Sequence, residues 1–367
     1  MRILLDYRPA LRNRTGVGEF AHHMAAALAR RGGAADRVTL FSSSWKDRLP
    51  ADRVPGATTL DGRVPVSVLN LAWHRFGWPP VELMGGRADV AWSLHPLLMP
   101  SRTAAQVVTI HDLYFLDHSD ATDREVRRDY PALVADHARR ADAIIVVSEY
   151  TRDQVIERLR VPIEKITVCS PGAPAWAPRV EPAGVGPILH VGSLEPRKNI
   201  PALVQAYLEL VREHDDTPPL VLAGQGNLPL LLPAADSELM RTHVRVLGYV
   251  SDEDRLGLYR EASMVVMAST DEGFGIPALE AMTLGVPVVA SSRGSLPEVV
   301  GDAGLLVDPD DRQAFAAAMR RVLDEPALRR DLARRGIERS GRFSWDTSAA
   351  RAREAFEGAL RARKARP

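Results

Sequence analysis

Along this chain, short apolar runs alternate with longer stretches in which apolar residues recur at helical spacing. The runs Arg2–Tyr7, Val38–Ser42, Asp89–Ser93, Gln106–Ile110 and Ala143–Ser148 read as buried strands, and Glu19–Arg30 and Glu125–Arg140 as helices between them. A shorter strand, Ile166–Ser170, leads into PGAPAWAPRVEPAGVGP, too rich in proline, glycine and alanine for a core element. The alternation then restarts. Strands are predicted at Ile188–Val191, Leu220–Ala223, Val244–Val250, Met264–Ala268 and Val286–Ala290, with helices at Asn199–Glu213, Asp252–Glu261 and Pro277–Leu284. A last helical stretch, Trp345 to Arg363, sets Ala349, Ala352, Phe356 and Leu360 on one face.

Strand and helix in strict turn predict parallel sheets covered on both faces. The expected fold class is α/β, with two successive doubly wound, Rossmann-like domains. Their expected limits are 1–176 and 188–344, joined by a linker at 177–187, with 345–367 as a C-terminal helix crossing back to the first domain. Ligands in such sheets sit beyond the carboxyl ends of the strands, which predicts a cleft between the domains.

Composition narrows the function classes. The 367 residues suffice for two domains, and Lys+Arg balances Asp+Glu at 47 each, so no global field draws the chain to nucleic acid. Cys169 is the one cysteine, which excludes an intramolecular disulfide and favours a reducing cytoplasm. Met1 leads straight into a strand, leaving no room for a signal peptide, and no apolar run reaches the ~18–20 residues of a membrane helix. Peripheral contact with the inner face of a membrane stays open.

The densest chemistry lies in DEGFGIPALEAM, where Glu272 and Glu280 stand either side of Gly273, Phe274, Gly275 and a helix opened by Pro277. Glycine admits close backbone approach, and the unpaired N–H groups of a helix start suit a phosphate. Carboxylates on both sides would grip hydroxyls flanking that phosphate. In HVGSLEPRKN, a strand ending at Gly192–Ser193 is followed by Arg197 and Lys198 before a helix capped by Asn199, a site for a diphosphate. QVVTIHDLYF puts His111 and Asp112 at the end of a central strand; Asp112 would either orient His111 or cap the next turn. Thr15–Gly18, a GxG without the third glycine, is a poor dinucleotide fingerprint. Ser148 reads as a helix cap, and Trp73, Phe76 and Trp78 around Arg75 as an apolar helix end, with acceptor or membrane contact as the alternative. No metal-ligand spacing is present, so neither metal nor other cofactor is expected.

Taken together, Gly192–Ser193, Arg197–Lys198–Asn199, GYVSDEDRLGLYREA and the Glu272/Glu280 pair resemble glycosyltransferase family 4, whose members are retaining, nucleotide-sugar-dependent enzymes of the GT-B architecture. The resemblance runs from TGVGEF to the C-terminal FSW. It implies that Glu272 holds hexose hydroxyls with backbone N–H groups near Phe274 and Gly275, and that Glu280 takes the ribose. Arg197 and Lys198 would neutralise the diphosphate beside Gly192. Val250 and Asp252, with Arg255, would form the base-recognition turn, Gly16 the N-terminal glycine loop, and His111 a partner of the sugar. TGVGEF, IHDL and SLEPRKN look most like bacterial mannosyl- and rhamnosyltransferases of surface polysaccharide assembly. The implied donor is GDP-mannose, ahead of UDP-glucose and dTDP-rhamnose, and the acceptor a glycan, lipid-linked or small-molecule hydroxyl. A nucleotide-sugar hydrolase or epimerase of the same architecture, or a non-catalytic sensor, are the alternatives.

Overall fold

The computed structural model describes residues 1–11, 16–33, 35–118, 124–179, 186–226 and 237–365, with the backbone alone at 124–129 and 237. The chain divides into two compact units, Met1–Gly172 with Ser344–Pro367, and Ala173–Phe343.

The first unit opens with β1 (Arg2–Asp6), α1 (Gly16–Gly32), β2 (Arg37–Ser42), β3 (Thr58–Asp61), α2 (Val66–Phe76) and α3 (Val81–Gly85). It continues through β4 (Val90–Ser93), β5 (Ala105–Ile110), α4 (Arg124–Arg140), β6 (Ala143–Val146), α5 (Glu149–Leu159) and β7 (Ile166–Val168). Its seven described strands, all parallel, lie in the order β3-β2-β1-β4-β5-β6-β7.

The second unit runs β8 (Ile188–Val191), α6 (Ile200–Glu213), β9 (Leu220–Ala223), α7 (Ser237–His243), β10 (Val244–Gly248), α8 (Asp252–Glu261) and β11 (Met264–Met267). Then come α9 (Ile276–Thr283), β12 (Val288–Ser291), α10 (Leu296–Val300), β13 (Leu305–Val307), α11 (Arg312–Asp324) and α12 (Pro326–Ser340). The sheet order is β10-β9-β8-β11-β12-β13, again parallel. Strands β4, β6, β8, β9, β11 and β12 are buried at every residue, which is why they appear in sequence as unbroken apolar runs. In both sheets the strand order reverses beside the first strand, between β1 and β4 and between β8 and β11. Loops on either side of such a switch point diverge and leave a crevice at the carboxyl edge.

The last helix, α13 (Trp345–Lys364), belongs to the first unit. Ala349, Ala352, Phe356 and Ala359 are its buried apolar face; Leu360, expected there, is half-buried because the stripe drifts by one residue in the final turns.

Several expected boundaries shift. Helix α1 begins at Gly16 rather than Glu19, so Gly16–Gly18 forms its first turn and not a preceding loop; Thr15 and linker residues 180–185 lie outside the described residues. Gly18 is needed for packing, since a Cβ there would stand 2.7 Å from the Pro9 carbonyl oxygen. Strand β7 stops at Val168 and β10 at Gly248.

Candidate functional site

The second unit's switch point gathers most of the expected groups. Beyond β8 the chain turns at Gly192, whose φ of 146° only glycine adopts without strain. A short turn, Pro196–Lys198, follows, and Asn199 sits at φ 53° before α6. Asn199 makes no side-chain cap, contrary to expectation. Its left-handed backbone turns the amide away from the helix start, and Nδ2 donates instead to the Pro309 carbonyl at 3.1 Å.

Beyond β11, the neighbouring strand, the loop carries Glu272 into contact with that turn. Arg197 Nη1 donates to Glu272 Oε2 at 3.0 Å, and the Lys198 ammonium donates to Oε1, which also accepts from Ser269 Oγ at 3.0 Å. Backbone bonding docks the two loops, Thr270 N–H donating to the Arg197 carbonyl at 2.8 Å. Lys198 and Glu272 are both buried. Burial works to raise the Glu272 pKa, but Lys198 and Arg197 outweigh it and hold the carboxyl at about 2. Lys198 is itself pushed below the usual lysine range, first by burial and then by Arg197. The two cations thus lower Glu272, while Glu272 opposes the fall at Lys198 without cancelling it.

After Glu272 the chain reaches Gly275, φ 102°, and enters α9 with Pro277 at its second position, not its first. The amides of Phe274, Gly275 and Ile276 donate to no acceptor among the described residues, which makes this loop and helix start a ready anion cradle. The Phe274 ring is buried edge-on against Phe343 at 5.5 Å.

Glu280 lies in the second turn of α9, too deep to cap the helix. Its Oε2 accepts from Tyr259 OH at 2.7 Å, and Oε1 pairs with Arg255 Nη2 at 3.2 Å. Arg255 also reaches Asp252 at 3.4 Å, so it ties the start of α8, and the Val250–Asp252 turn before it, to Glu280. Burial and then Glu280 raise the Tyr259 pKa well above its ordinary value, so this phenol always donates. Ser251 caps α8 by accepting from Asp254 N–H at 3.1 Å.

Sequence reasoning missed Ser269, Tyr259, Glu195 and Gly294. Ser269 precedes Glu272 by one turn's spacing, and Tyr259 follows Arg255 at the helical interval of four, signals that were available. Glu195 pairs with Arg197 at 3.1 Å. Gly294 was invisible in sequence, because its constraint comes from a distant loop: at φ 66° its absent Cβ leaves room for the Glu272 backbone.

In the first unit, His111 directly follows β5. Its Nε2 lies 3.2 Å from the Leu94 carbonyl and its ring packs edge-on to Phe20 at 5.2 Å. Burial pushes its pKa down to about 4. A carbonyl only accepts, so the neutral ring carries its proton on Nε2, and Nδ1 offers a lone pair. Asp112 caps the next turn, accepting from Tyr114 N–H at 3.3 Å, and thus settles its two expected roles in favour of capping. Ser148 caps α5 through Thr151 N–H at 3.0 Å. At the ends of β1 and β4, Arg8 chelates Asp6 at 2.6 and 2.8 Å and reaches Asn70 at 2.7 Å, while His95 Nε2 stands 3.2 Å from Asp6. That network satisfies its own charges and packs Arg8 over Trp73. Among the described residues no group of three potential ligands could hold a metal ion.

Comparison with known proteins addresses the family and the fold. A family model described as Glycosyltransferase Family 4 matches residues 14–175, and one described as Glycosyl transferases group 1 matches residues 181–339. The O-antigen chain mannosyltransferase B of Escherichia coli is 30% identical over 94% of this chain and 97% of its own length. The serotype-specific mannosyltransferase WbdA of E. coli is 37% identical, over 46% of this chain and 21% of its own. Among solved structures, a sucrose-phosphate synthase from Thermosynechococcus elongatus superposes with a TM-score of 0.78 at 22% identity, covering 99% of this chain and 100% of that one. That likeness concerns the fold, which is GT-B.

Proposed function

Because the chain belongs to glycosyltransferase family 4 and is a hexosyltransferase, we propose that it transfers mannose from GDP-mannose, with retention, to a hydroxyl of a growing polysaccharide. The observation that carries this reading is the Glu272–Lys198–Arg197 cluster beside the open amides of Phe274, Gly275 and Ile276. As the sugar–phosphate bond breaks, negative charge grows on the diphosphate. Two buried or half-buried cations and three unengaged N–H groups would meet it, and preorganised charge of this kind lowers barriers most. Glu272 lies beside that cradle and would hold hexose hydroxyls; Glu280, oriented by Tyr259 and Arg255, would hold the ribose. In the first unit, the Nδ1 lone pair of His111 would accept from a sugar hydroxyl.

Glu272 is a poor nucleophile, since two cations engage it and its pKa is held at about 2. That supports attack on the face the diphosphate leaves, with the leaving phosphate taking the acceptor's proton. The cations do what a divalent ion does elsewhere, so turnover is expected to survive chelation by EDTA. The mannosyltransferase relatives support the choice of sugar. A thermal-shift panel of GDP, UDP and dTDP sugars tests the donor, since ligand held by the native state raises apparent stability. GDP-mannose should raise Tm most; a larger shift with another donor would overturn the assignment. Product analysis with an acceptor present should yield a mannoside, and free mannose alone would mark a hydrolase.

A further inference from the structure

The first unit carries an apolar, basic surface to which none of the roles above is assigned. Among the described residues, five of the twelve exposed large hydrophobic side chains, Val68, Leu71, Phe76, Trp78 and Leu83, fall within α2, α3 and their connection. Helix α2 is apolar on two sides. Leu69 and Trp73 pack inward with Phe41, while Val68 and Leu71 face outward, and Phe76 and Trp78 are 73% and 58% exposed. A soluble surface helix normally has a polar outer face, and clustered exposed hydrophobics mark an interaction surface.

Among the described residues, the unpaired charges around this face are positive. Arg63, Arg75, Arg87 and Arg102 are exposed and make no ion pair among the described residues. Arg75, Arg102 and Arg140 line an open hollow of about 420 Å³ together with Phe76 and Trp78. The nearby carboxylates already have partners. Asp136 pairs with Arg140 at 2.9 Å, Asp89 with Arg2 at 2.6 Å, and Glu82 accepts from Ser101 Oγ and the Thr103 amide at 2.6 and 2.8 Å.

We propose that this face docks on an anionic lipid bilayer, with Phe76, Trp78, Leu71 and Leu83 entering the headgroup boundary and Arg75 and Arg102 meeting lipid phosphates. Aromatic residues beside arginine suit that boundary because ring and guanidinium each find a matching layer. The chain's overall charge balance makes the attraction local to this face.

Co-sedimentation of the full chain with vesicles tests it. Binding should be strong to vesicles with roughly one third phosphatidylglycerol and weak to pure phosphatidylcholine, and should fall as salt rises. Phe76→Ser/Trp78→Ser and Arg75→Glu/Arg102→Glu should each reduce binding at least ~10-fold. These side chains are exposed, so circular dichroism should match the parent. Three results would overturn the proposal: no vesicle binding, equal binding to neutral and anionic vesicles, or light scattering that shows a dimer abolished by the Phe76→Ser/Trp78→Ser change, which would make the face a self-interface.

Discussion

At the residue scale, the charge balance of Arg197, Lys198 and Glu272 governs both binding and stability. Lys198→Ala should lower turnover by at least ~100-fold, the loss typical of a group that meets charge formed in the transition state. Glu272→Gln should lower turnover comparably while tightening binding of the free nucleoside diphosphate, because the carboxylate that competes for both cations is gone; calorimetric titration reads both variants. The same change leaves two cations without their shared anion and should cost roughly 3–5 kcal/mol at neutral pH. The sign with pH follows. The folded-state pKa of Glu272, about 2, lies below its ordinary 4.5, so its stabilisation is complete above that ordinary value and is lost as pH falls towards 2. Urea unfolding midpoints of the two proteins should therefore converge as pH drops through that range. His111, with its pKa held at about 4, stays neutral from pH 5 to 8. His111→Leu should reduce turnover without changing the shape of the pH–rate profile there. A limb near 6.5 that disappears in the variant would contradict a neutral role.

At the scale of elements, the loop between β12 and α10 fixes the main chain of Glu272. Ser295 N–H donates to the Glu272 carbonyl at 3.0 Å, and a Cβ on Gly294 would stand 2.7 Å from the Glu272 amide nitrogen. Gly294→Ala combines that clash with an unfavourable left-handed backbone. It should cost roughly 1–3 kcal/mol and lower turnover about tenfold, measured by thermal unfolding and initial rates. The contrast with Glu272 explains what was legible in the sequence. Strands such as β8, β11 and β12 announced themselves because both faces are buried, and the loops beyond β8 and β11 carry charge in compact motifs. Edge strand β3 has no fully buried residue, and β13 is three residues long, so neither shows a pattern. Helices α11 and α12 carry arginines on their outer faces and a narrow apolar stripe, which made them harder to separate from loop. Asn199 looked like a cap by residue type, yet the preceding turn forces its backbone into a conformation that removes the cap. Packing constraints such as Gly18 against Pro9 and Gly294 against Glu272 arise from tertiary approach and leave no trace in the residues' own neighbourhood.

At the scale of the whole molecule, α13 closes the first unit. Phe356 is fully buried and meets the Trp92 ring edge-on at 5.2 Å, while Trp92 Nε1–H donates to Thr109 Oγ1 at 2.9 Å. Phe20 then touches Trp92 at 6.5 Å, Trp345 at 5.9 Å and His111 at 5.2 Å. A contiguous aromatic stack therefore connects the C-terminal helix to the expected sugar partner, and Trp345 and Phe356 of that helix support the packing around His111. Ion pairs at the helix surface, Arg353 with Asp36 and Arg363 with Asp142, fix its register but add little each, because the arginines are partly solvated. The aromatic contacts dominate. Phe356→Ala should cost roughly 3–5 kcal/mol, the usual loss when a large buried ring leaves a cavity. Glu354→Ala, on the exposed side of the same helix, should change stability by no more than about 0.5 kcal/mol. Urea denaturation of both variants separates a packing role from a general loss of helix propensity, which the glutamate change would share. Turnover at a temperature where Phe356→Ala remains folded should still fall, since Trp92 and Phe20 lose the support that holds His111; parent-like turnover under those conditions would confine the stack to stability alone.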